Sequence, residues 1–213
     1  MRTKLFVGLW AAILLAVTPA AAQEIPHESF TLDNGLRVLF HEDHDLPLIT
    51  VNILYRFGSL DEQPGQTGYA HLAEHLAFMG TTRVPGGSFD QIMEGQGGWN
   101  NAGTSTDYTV YYDVGPAAML PTMLWLEADR LERMGPDMDQ EKLDLQREVV
   151  RNERRQNYEV APYGKAWLTH PGEMYPEGHP YHHPTIGSHE DLIDASVDDI
   201  RDIYATGYAP ANA

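Results

Sequence analysis

Apolar and polar residues alternate on both sides of the Asn34-Gly35 pair in residues 30–40, which is the pattern of a β-hairpin. Residues 48–57 are rich in β-branched and aromatic side chains and predict a third, well-buried strand. Strand character returns at 107–114. Residues 99–104 form either the first half of that hairpin or one part of a long bent strand.

Helical spacing of apolar residues covers 116–134 and breaks at Gly135-Pro136, and residues 139–157 predict a second long helix with many charges. Shorter helices are expected at 89–94 with Ser88 as a cap, at 165–168, and at 197–205 with Ser196 as a cap. This order predicts an α+β fold with two layers: one antiparallel sheet, from the strands at 29–57 and 99–114, with helices packed on one face.

The first 22 residues have the pattern of a secretory signal peptide. A basic start with Arg2 and Lys4 precedes the apolar run Leu5–Val17 and the small residues Ala20-Ala21-Ala22, which resemble a cleavage site. A membrane span needs about 20 apolar residues, which argues against the alternative of an uncleaved anchor. The prediction is a signal peptide at 1–22 and an exported chain, periplasmic or secreted, with one domain at 23–213.

Charge and cysteine content restrict the partners. The formal net charge is −17 at pH 7, and it becomes more negative by two once Arg2 and Lys4 are removed. Such a surface repels nucleic acid and anionic lipid, so we expect no nucleic-acid partner and a preference for basic or neutral peptides. The short apolar run of the signal peptide leads us to expect no membrane span in the mature chain. Because the chain has no cysteine, its stability must come from a buried core or a metal.

The most informative stretch is His71-Leu72-Ala73-Glu74-His75, which lies between Gly68 and Gly80. The helix formers around the polar residues predict a helix of about three turns. His71 and His75 then lie one turn apart on the same face, with Glu74 beside them. Two imidazoles in that arrangement can bind one metal ion, and the carboxylate can take a proton from a water on that metal.

Glu153 is the candidate for a third ligand. It lies on the second long helix, at the end of a stripe that includes Leu143, Val149 and Val150 and is therefore predicted to face the core. A buried carboxylate is costly unless it is paired or ligates a metal. The alternative is an exposed ion pair with one of four neighbouring arginines. These are Arg147, Arg151, Arg154 and Arg155.

His-x-x-Glu-His followed by the glutamate of Arg147–Arg154 resembles the pitrilysin or insulinase family of inverted-motif zinc metallopeptidases, in its N-terminal catalytic domain. The resemblance runs from about Ser29 to the last residue. It implies that His71, His75 and Glu153 bind one Zn²⁺ and that Glu74 is the general base in peptide-bond hydrolysis.

The resemblance also implies an edge strand that binds the extended peptide substrate through backbone hydrogen bonds. Its counterpart here contains Asn101, Ala102 and Thr104. The chain departs from the family pattern at Gln146, where a second glutamate is often found. Gln146 can support a ligand or the substrate by a hydrogen bond, but it cannot act as an acid or base.

A rival metal site is conceivable in the His179-Pro180-Tyr181-His182-His183-Pro184 loop. His182 and His183 are adjacent and flanked by prolines, which prevents the one-turn spacing that makes two imidazoles converge on a helix. A packed or hydrogen-bonded loop is the favoured interpretation. We therefore expect one zinc ion, at the helical motif.

Family members build a chamber from repeated halves, so the resemblance implies a further domain or a partner subunit. We interpret the chain as a domain truncated at its C-terminal end, which alone would hydrolyse peptides poorly. Two alternatives to a metalloendopeptidase remain: a non-catalytic family member used for assembly, and a periplasmic zinc-binding protein. The intact His71, Glu74, His75 and Glu153 argue against the first.

Overall fold

The computed structural model describes residues 25–213, so the predicted signal peptide at 1–22 lies outside the described residues. The strands are β1 (Glu28–Thr31), β2 (Arg37–Phe40), β3 (Leu48–Tyr55), β4 (Trp99–Thr104) and β5 (Thr109–Pro116). The α-helices are α1 (Tyr69–Leu76), α2 (Ser88–Gly95), α3 (Leu120–Arg133), α4 (Gln140–Arg154), α5 (Gly164–Met174), α6 (His189–Asp194) and α7 (Val197–Gly207). None of the helices in residues 25–213 is long and apolar enough to cross a membrane.

The described residues form two compact units, one of residues 25–29 and 39–42 and the other of residues 30–38 and 43–213. β1 and β2 form a two-stranded sheet, which confirms the predicted hairpin. Its turn contains Gly35 with φ +89°, a conformation that glycine adopts without strain.

The three-stranded sheet has the order β3-β5-β4 and is antiparallel throughout. β4 and β5 form a hairpin, so the long bent strand is excluded. The predicted single sheet is in fact two sheets within residues 25–213. The prediction that β3 is well buried is also wrong, because its alternate residues, among them Leu48 at 55% exposure, lie on the face away from the helices.

Helices cover the other face of the three-stranded sheet, as predicted for a two-layer α+β domain. Tyr55 of β3 and Tyr111 of β5 project into a core cluster with Leu72 of α1, Leu143 of α4 and Ile200 of α7. These five side chains are completely buried. Burial of each aliphatic side chain contributes about 1.5–3 kcal/mol, so α1 and α4 are fixed to the sheet by this shared core.

Several helix boundaries differ from the predictions. α5 continues to Met174, well beyond 168, although Pro171 lies inside it. Ser88 does not cap α2; Gly87 occupies the cap position with φ +78°. The cap at Ser196 is confirmed, since its hydroxyl accepts the Asp199 N–H. α6 was not predicted, and α4 ends at Arg154, where a π-helical turn follows.

A buried charged cluster lies between the sheet and α3. Arg130 stacks on the rings of Phe78, Phe89 and Tyr111, with its guanidinium carbon 4.9, 4.3 and 4.7 Å from the ring centroids. Its Nη1 is 2.9 Å from Glu127 Oε1. Asp113 of β5 is fully buried beside this pair, and burial followed by the charge of Glu127 raises the pKa of Asp113 to about 7.

Candidate metal centre

The first half of the site is the helix α1, whose N-cap residue Gly68 has a left-handed φ of +90°. Glu62 binds the start of the helix: its Oε2 accepts the Gly68 N–H at 3.0 Å and its Oε1 the Ala70 N–H at 2.8 Å. α1 has eight residues, about two turns, where three were predicted. Turns follow Leu76, and Gly80, at φ +76°, then pairs with Pro85.

The second half is α4, which packs against α1 and brings Glu153 to the two histidines. Glu153 Oε2 is 3.3 Å from His75 Nε2 and 3.7 Å from His71 Nε2. The two Nε2 atoms are 3.3 Å apart. Three potential ligand atoms from two helices therefore converge on one point.

The alternative ion pair of Glu153 with a neighbouring arginine is not formed. Arg147, Arg151 and Arg154 instead bind Asp144, Glu148 and Glu159. The predicted core stripe on α4 was partly wrong, because Val149 is 41% exposed while Leu143 and Val150 are fully buried. Asn157, in the π-helical turn, donates to Glu153 Oε1 at 3.4 Å.

The three ligand atoms fit zinc. Two donors that each lie about 2.0–2.1 Å from a tetrahedral zinc ion are about 3.3 Å apart, which agrees with the separations given above. Two imidazoles and one carboxylate are also the donor set of catalytic zinc sites, in which a fourth position stays open for water. His71, His75 and Glu153 form the one group of three such ligands within residues 25–213.

Two of the three ligand candidates, His71 and Glu153, are held in the protonation state that binds a metal, whereas the carboxylates near His75 stabilise a positive charge there. Burial, helped by the nearby His75, lowers the pKa of His71 to about 4, so this imidazole is neutral at pH 7 and its lone pair is available. The hydrogen bond with His75 holds the pKa of Glu153 below its usual value. Burial acts to lower the pKa of His75, but the bond to Glu153 and the charge of Glu74 outweigh it and raise the pKa.

Glu74 lies beside the ligands and is 92% buried, with 8% of its surface exposed. Burial raises the pKa of its carboxyl, although a hydrogen bond from Thr104 opposes the shift. Thr104 Oγ1 donates to Glu74 Oε2 at 2.6 Å. A carboxylate with a raised pKa, fixed in one orientation, is suited to accept and return a proton.

The predicted substrate residues lie on β4, at an edge of the three-stranded sheet. Asn101, Ala102 and Thr104 face Tyr112, Tyr111 and Thr109 of β5 in the antiparallel register. The Asn101 side chain accepts the N–H of Ala102 at 2.9 Å. Because Thr104 contacts Glu74, this strand leads directly to the metal centre.

Gln146 lies one side-chain layer away from the ligands. Its amide interacts with His75 and contributes to the raised pKa of that imidazole, and its Nε2 is 2.8 Å from Met79 Sδ. The second imidazole lacks such support, because His71 Nδ1 is buried with no hydrogen-bond partner among the described residues. Gln146 therefore supports one of the two histidines.

The rival histidines are engaged elsewhere. His182 Nδ1 bonds to the carbonyl oxygen of Tyr175 at 2.8 Å, and His183 Nε2 is 2.9 Å from Glu62 Oε2. The favoured interpretation of this loop as packed and hydrogen-bonded is confirmed. The loop nevertheless supports the metal centre indirectly, since Glu62 binds the start of α1.

Sequence reasoning missed three residues that support the site. Glu62 holds the start of α1, Asn157 touches Glu153, and the Tyr204 hydroxyl donates to the Ala73 carbonyl oxygen at 2.7 Å. Tyr204 and Ala73 are separated by 131 positions. No short-range pattern signals the Tyr204 contact, because it depends on the packing of distant elements. Asn157 is only four positions from Glu153, and this helical spacing could have identified it.

A two-layer α+β domain with a His-x-x-Glu-His helix facing a glutamate on a second helix has the donor set expected of a zinc metallopeptidase domain. The family model described as insulinase, peptidase family M16, matches residues 37–164. The chain belongs to this family.

The chain is similar to about half of several longer proteins. It is 34% identical over 214 residues to the zinc protease PqqE of Helicobacter pylori, covering 99% of this chain and 48% of that protein. The crystal structure of a protease from Helicobacter pylori has a TM-score of 0.85 at 34% identity and covers 89% of this chain and 45% of that chain. An inactive peptidase M16 domain from Pseudomonas fluorescens has a TM-score of 0.78 at 20% identity, over 88% of this chain and 45% of that chain, which shows the shared fold alone. The chain thus spans about half the length of these relatives.

Proposed function

We propose that this chain is the zinc-binding part of a metalloendopeptidase that hydrolyses peptides or small unfolded polypeptides. The observation that carries the proposal is the convergence of His71 Nε2, His75 Nε2 and Glu153 Oε2, with Glu74 alongside. When bound, zinc supplies a Lewis acid and lowers the pKa of a coordinated water to about 7.

In this proposal the chain's own residues handle the proton. Glu74 accepts the proton of the attacking water and then gives it to the leaving amine. Thr104 fixes the orientation of this carboxylate through its 2.6 Å hydrogen bond to Oε2. Gln146 has no acid or base role and instead orients His75.

The substrate binds in extended form along β4. Backbone N–H and C=O groups of the alternate residues Ala102 and Thr104 pair with the peptide as an added strand, and the Asn101 side chain, which accepts the Ala102 N–H in the free chain, releases it to the peptide. Since backbone atoms make most of these contacts, the strand tolerates many sequences. The proximity of Thr104 to Glu74 supports this position for the peptide bond to be cleaved.

The protein is exported and acts with a further domain or a partner subunit. Export rests on the signal-peptide pattern of residues 1–22. The further domain is supported by the coverage of the Helicobacter pylori relative, of which the chain spans 48%. Such a domain would enclose the peptide over β4 and complete the chamber.

The competing proposal is a non-catalytic member of the family. One structural neighbour is described as an inactive M16 domain, so this fold does not by itself guarantee activity. In this chain, however, the three ligands and Glu74 are all present. Because the chain retains the three metal ligands and the general base, we favour a catalytic role over a role in assembly alone.

The experiment is zinc stoichiometry and peptide cleavage in the full-length protein. We expect one zinc ion per chain, loss of cleavage with a chelator, and recovery when zinc is returned. His71→Ala, His75→Ala and Glu153→Ala should each lose zinc, whereas His27→Ala, a change of an exposed histidine, should keep it. Cleavage that persists after complete removal of zinc would refute the proposal.

A further inference from the structure

A large open cavity adjoins the metal centre and has no role in the mechanism above. Its volume is about 610 Å³, within the range of about 300–1,000 Å³ typical of ligand pockets. Aromatic and imidazole rings form much of its wall. These are Tyr158, Trp167, His170, Tyr175, Tyr181 and His183.

The cavity lies between the two parts of the site that the reaction needs. On one side it is lined by Asn157, whose amide donates to the zinc-ligand candidate Glu153 at 3.4 Å. On the other side it is lined by Thr106 and Asp107, in the turn that follows the edge strand β4. A peptide that extends along β4 past Glu74 therefore arrives at the mouth of this cavity.

The aromatic rings of the wall are arranged so that another ring can pack against them. Tyr175 and Tyr181 are in edge contact with ring centroids 5.4 Å apart and an interplanar angle of 77°. Trp167 and His170 lie 6.4 Å apart at 55°. Trp167 is 68% exposed, so a large apolar face is left open at the cavity. Rings favour such edge-to-face and offset arrangements with an incoming aromatic side chain.

Two polar side chains of the wall, Tyr181 and His183, each have a carboxylate partner. The Tyr181 hydroxyl donates to Asp107, and His183 is paired with Glu62. Within the described part of the chain, Asp107 is the one carboxylate that lines the cavity, and one of its oxygens already accepts the Tyr181 hydroxyl. Because rings form much of the rest of the wall, the cavity favours an aromatic occupant over a lysine or an arginine.

From this geometry we infer that the cavity is a subsite for an aromatic side chain of the peptide substrate, next to the bond that is cleaved. The inference rests on the proposed peptidase function. It adds a preference for Phe, Tyr or Trp at one position to an edge strand that is otherwise tolerant of sequence.

The test uses the full-length protein with the Glu74→Gln change, so that peptides bind without being cleaved. A set of peptides carries one Phe, Arg or Ala at each successive position, and calorimetry measures affinity. We expect one position at which Phe binds at least about tenfold more tightly than Ala, as burial of one ring implies. Trp167→Ala should remove this preference and Trp167→Phe should retain most of it.

The matched control is Trp125→Ala, on α3, since Trp125 is likewise exposed, at 49%, and does not line the cavity. It should leave the Phe preference unchanged. Equal affinity for Phe and Ala peptides at every position, or a preference for Arg instead, would overturn the inference. If Phe is preferred but the parent protein cleaves no peptide, the subsite stands and the proposed function is refuted. If the parent cleaves peptides but Phe is not preferred, the proposed function stands and the subsite is refuted.

Discussion

Glu62 and His183 are 121 positions apart in sequence, yet His183 Nε2 lies 2.9 Å from Glu62 Oε2. The same carboxylate accepts two N–H groups at the start of α1, the helix that carries His71 and His75. Hydrogen bonding to Glu62 is the main cause of the raised pKa of His183. The loop considered above as a rival metal site thus contacts the carboxylate that fixes the start of α1.

We predict that Glu62→Ala weakens both the fold and zinc binding. The change leaves two helix N–H groups and His183 without their buried acceptor, which costs roughly 1–3 kcal/mol. In the full-length protein this should lower the melting temperature by at least about 2 °C, and calorimetry should show weaker zinc binding. Glu177→Ala, at an exposed position of the preceding loop, is the control and should change neither. Unaltered zinc affinity in Glu62→Ala would show that the carboxylate does not support the motif helix.

Gly187, three residues after the His179–Pro184 loop, lies against Gly68 at the start of α1. Gly187 has φ +70°, and a Cβ there would lie 2.4 Å from the Gly68 Cα and 2.2 Å from the Thr67 carbonyl oxygen. Gly187→Ala should therefore shift α1 and reduce zinc affinity, measured by competition with a chelator. Gly178→Ala is the matched control, because Gly178 has φ +83° but open space around it. If the two variants lost zinc equally, backbone strain rather than the helix contact would be responsible.

The buried Asp113 predicts a pH-dependent stability. Its pKa rises from 3.8 to about 7 through burial and the charge of Glu127, so the folded protein binds a proton there that the unfolded chain releases. The stability from this group is present at low pH and is lost as the pH rises towards about 7. Glu127 and Arg130 are the charged groups that face Asp113.

The measurement is the melting temperature of the full-length protein between pH 4 and pH 8, compared with Asp113→Asn. The melting temperature of Asp113→Asn should fall less with rising pH, because the titrating group is removed. Asp202→Asn, at an exposed position of α7, should show the same fall as the parent. Parallel curves for the parent and Asp113→Asn would mean that Asp113 is ionised in the folded protein across this range.

The hydroxyl of Thr104 should affect turnover more than binding. Thr104→Ala removes the hydrogen bond that orients Glu74, so kcat should fall by about tenfold or more, while KM and zinc content change little. Thr104→Ser retains a hydroxyl and should recover most of kcat. The measurement is steady-state cleavage of one peptide by the parent, Thr104→Ala and Thr104→Ser. If Thr104→Ser is as slow as Thr104→Ala, the loss of kcat comes from the missing methyl group and not from the hydroxyl.

The local parts of the fold and site could be predicted from sequence because short-range physics determines them. The spacing of His71, Glu74 and His75 on one helix is an example, as is the hairpin at Asn34-Gly35. The helix predicted at 89–94 is present, but its cap differs, since a glycine with a left-handed φ takes the place expected for Ser88.

Long-range contacts could not be predicted in this way. The exposure of β3 depends on which sheet face the helices cover, and the support of α1 by Glu62 and His183 depends on how a distant loop folds back. Glu153 was proposed from the need for a third ligand and from a family resemblance. Its distance of 3.3 Å from His75 depends on how α4 packs against α1, and the spacing of apolar residues along α4 cannot predict it.

The most direct test of the proposed chemistry is peptide cleavage by the Glu74→Gln variant of the full-length protein, measured with its zinc content. The substituted amide would keep the shape of the side chain but could not accept a proton, while His71, His75 and Glu153 remain as ligands. We predict one zinc ion per chain, as in the parent, and a loss of kcat of at least about 100-fold. Cleavage at the parent rate by a fully zinc-loaded Glu74→Gln protein would contradict the assignment of Glu74 as the general base.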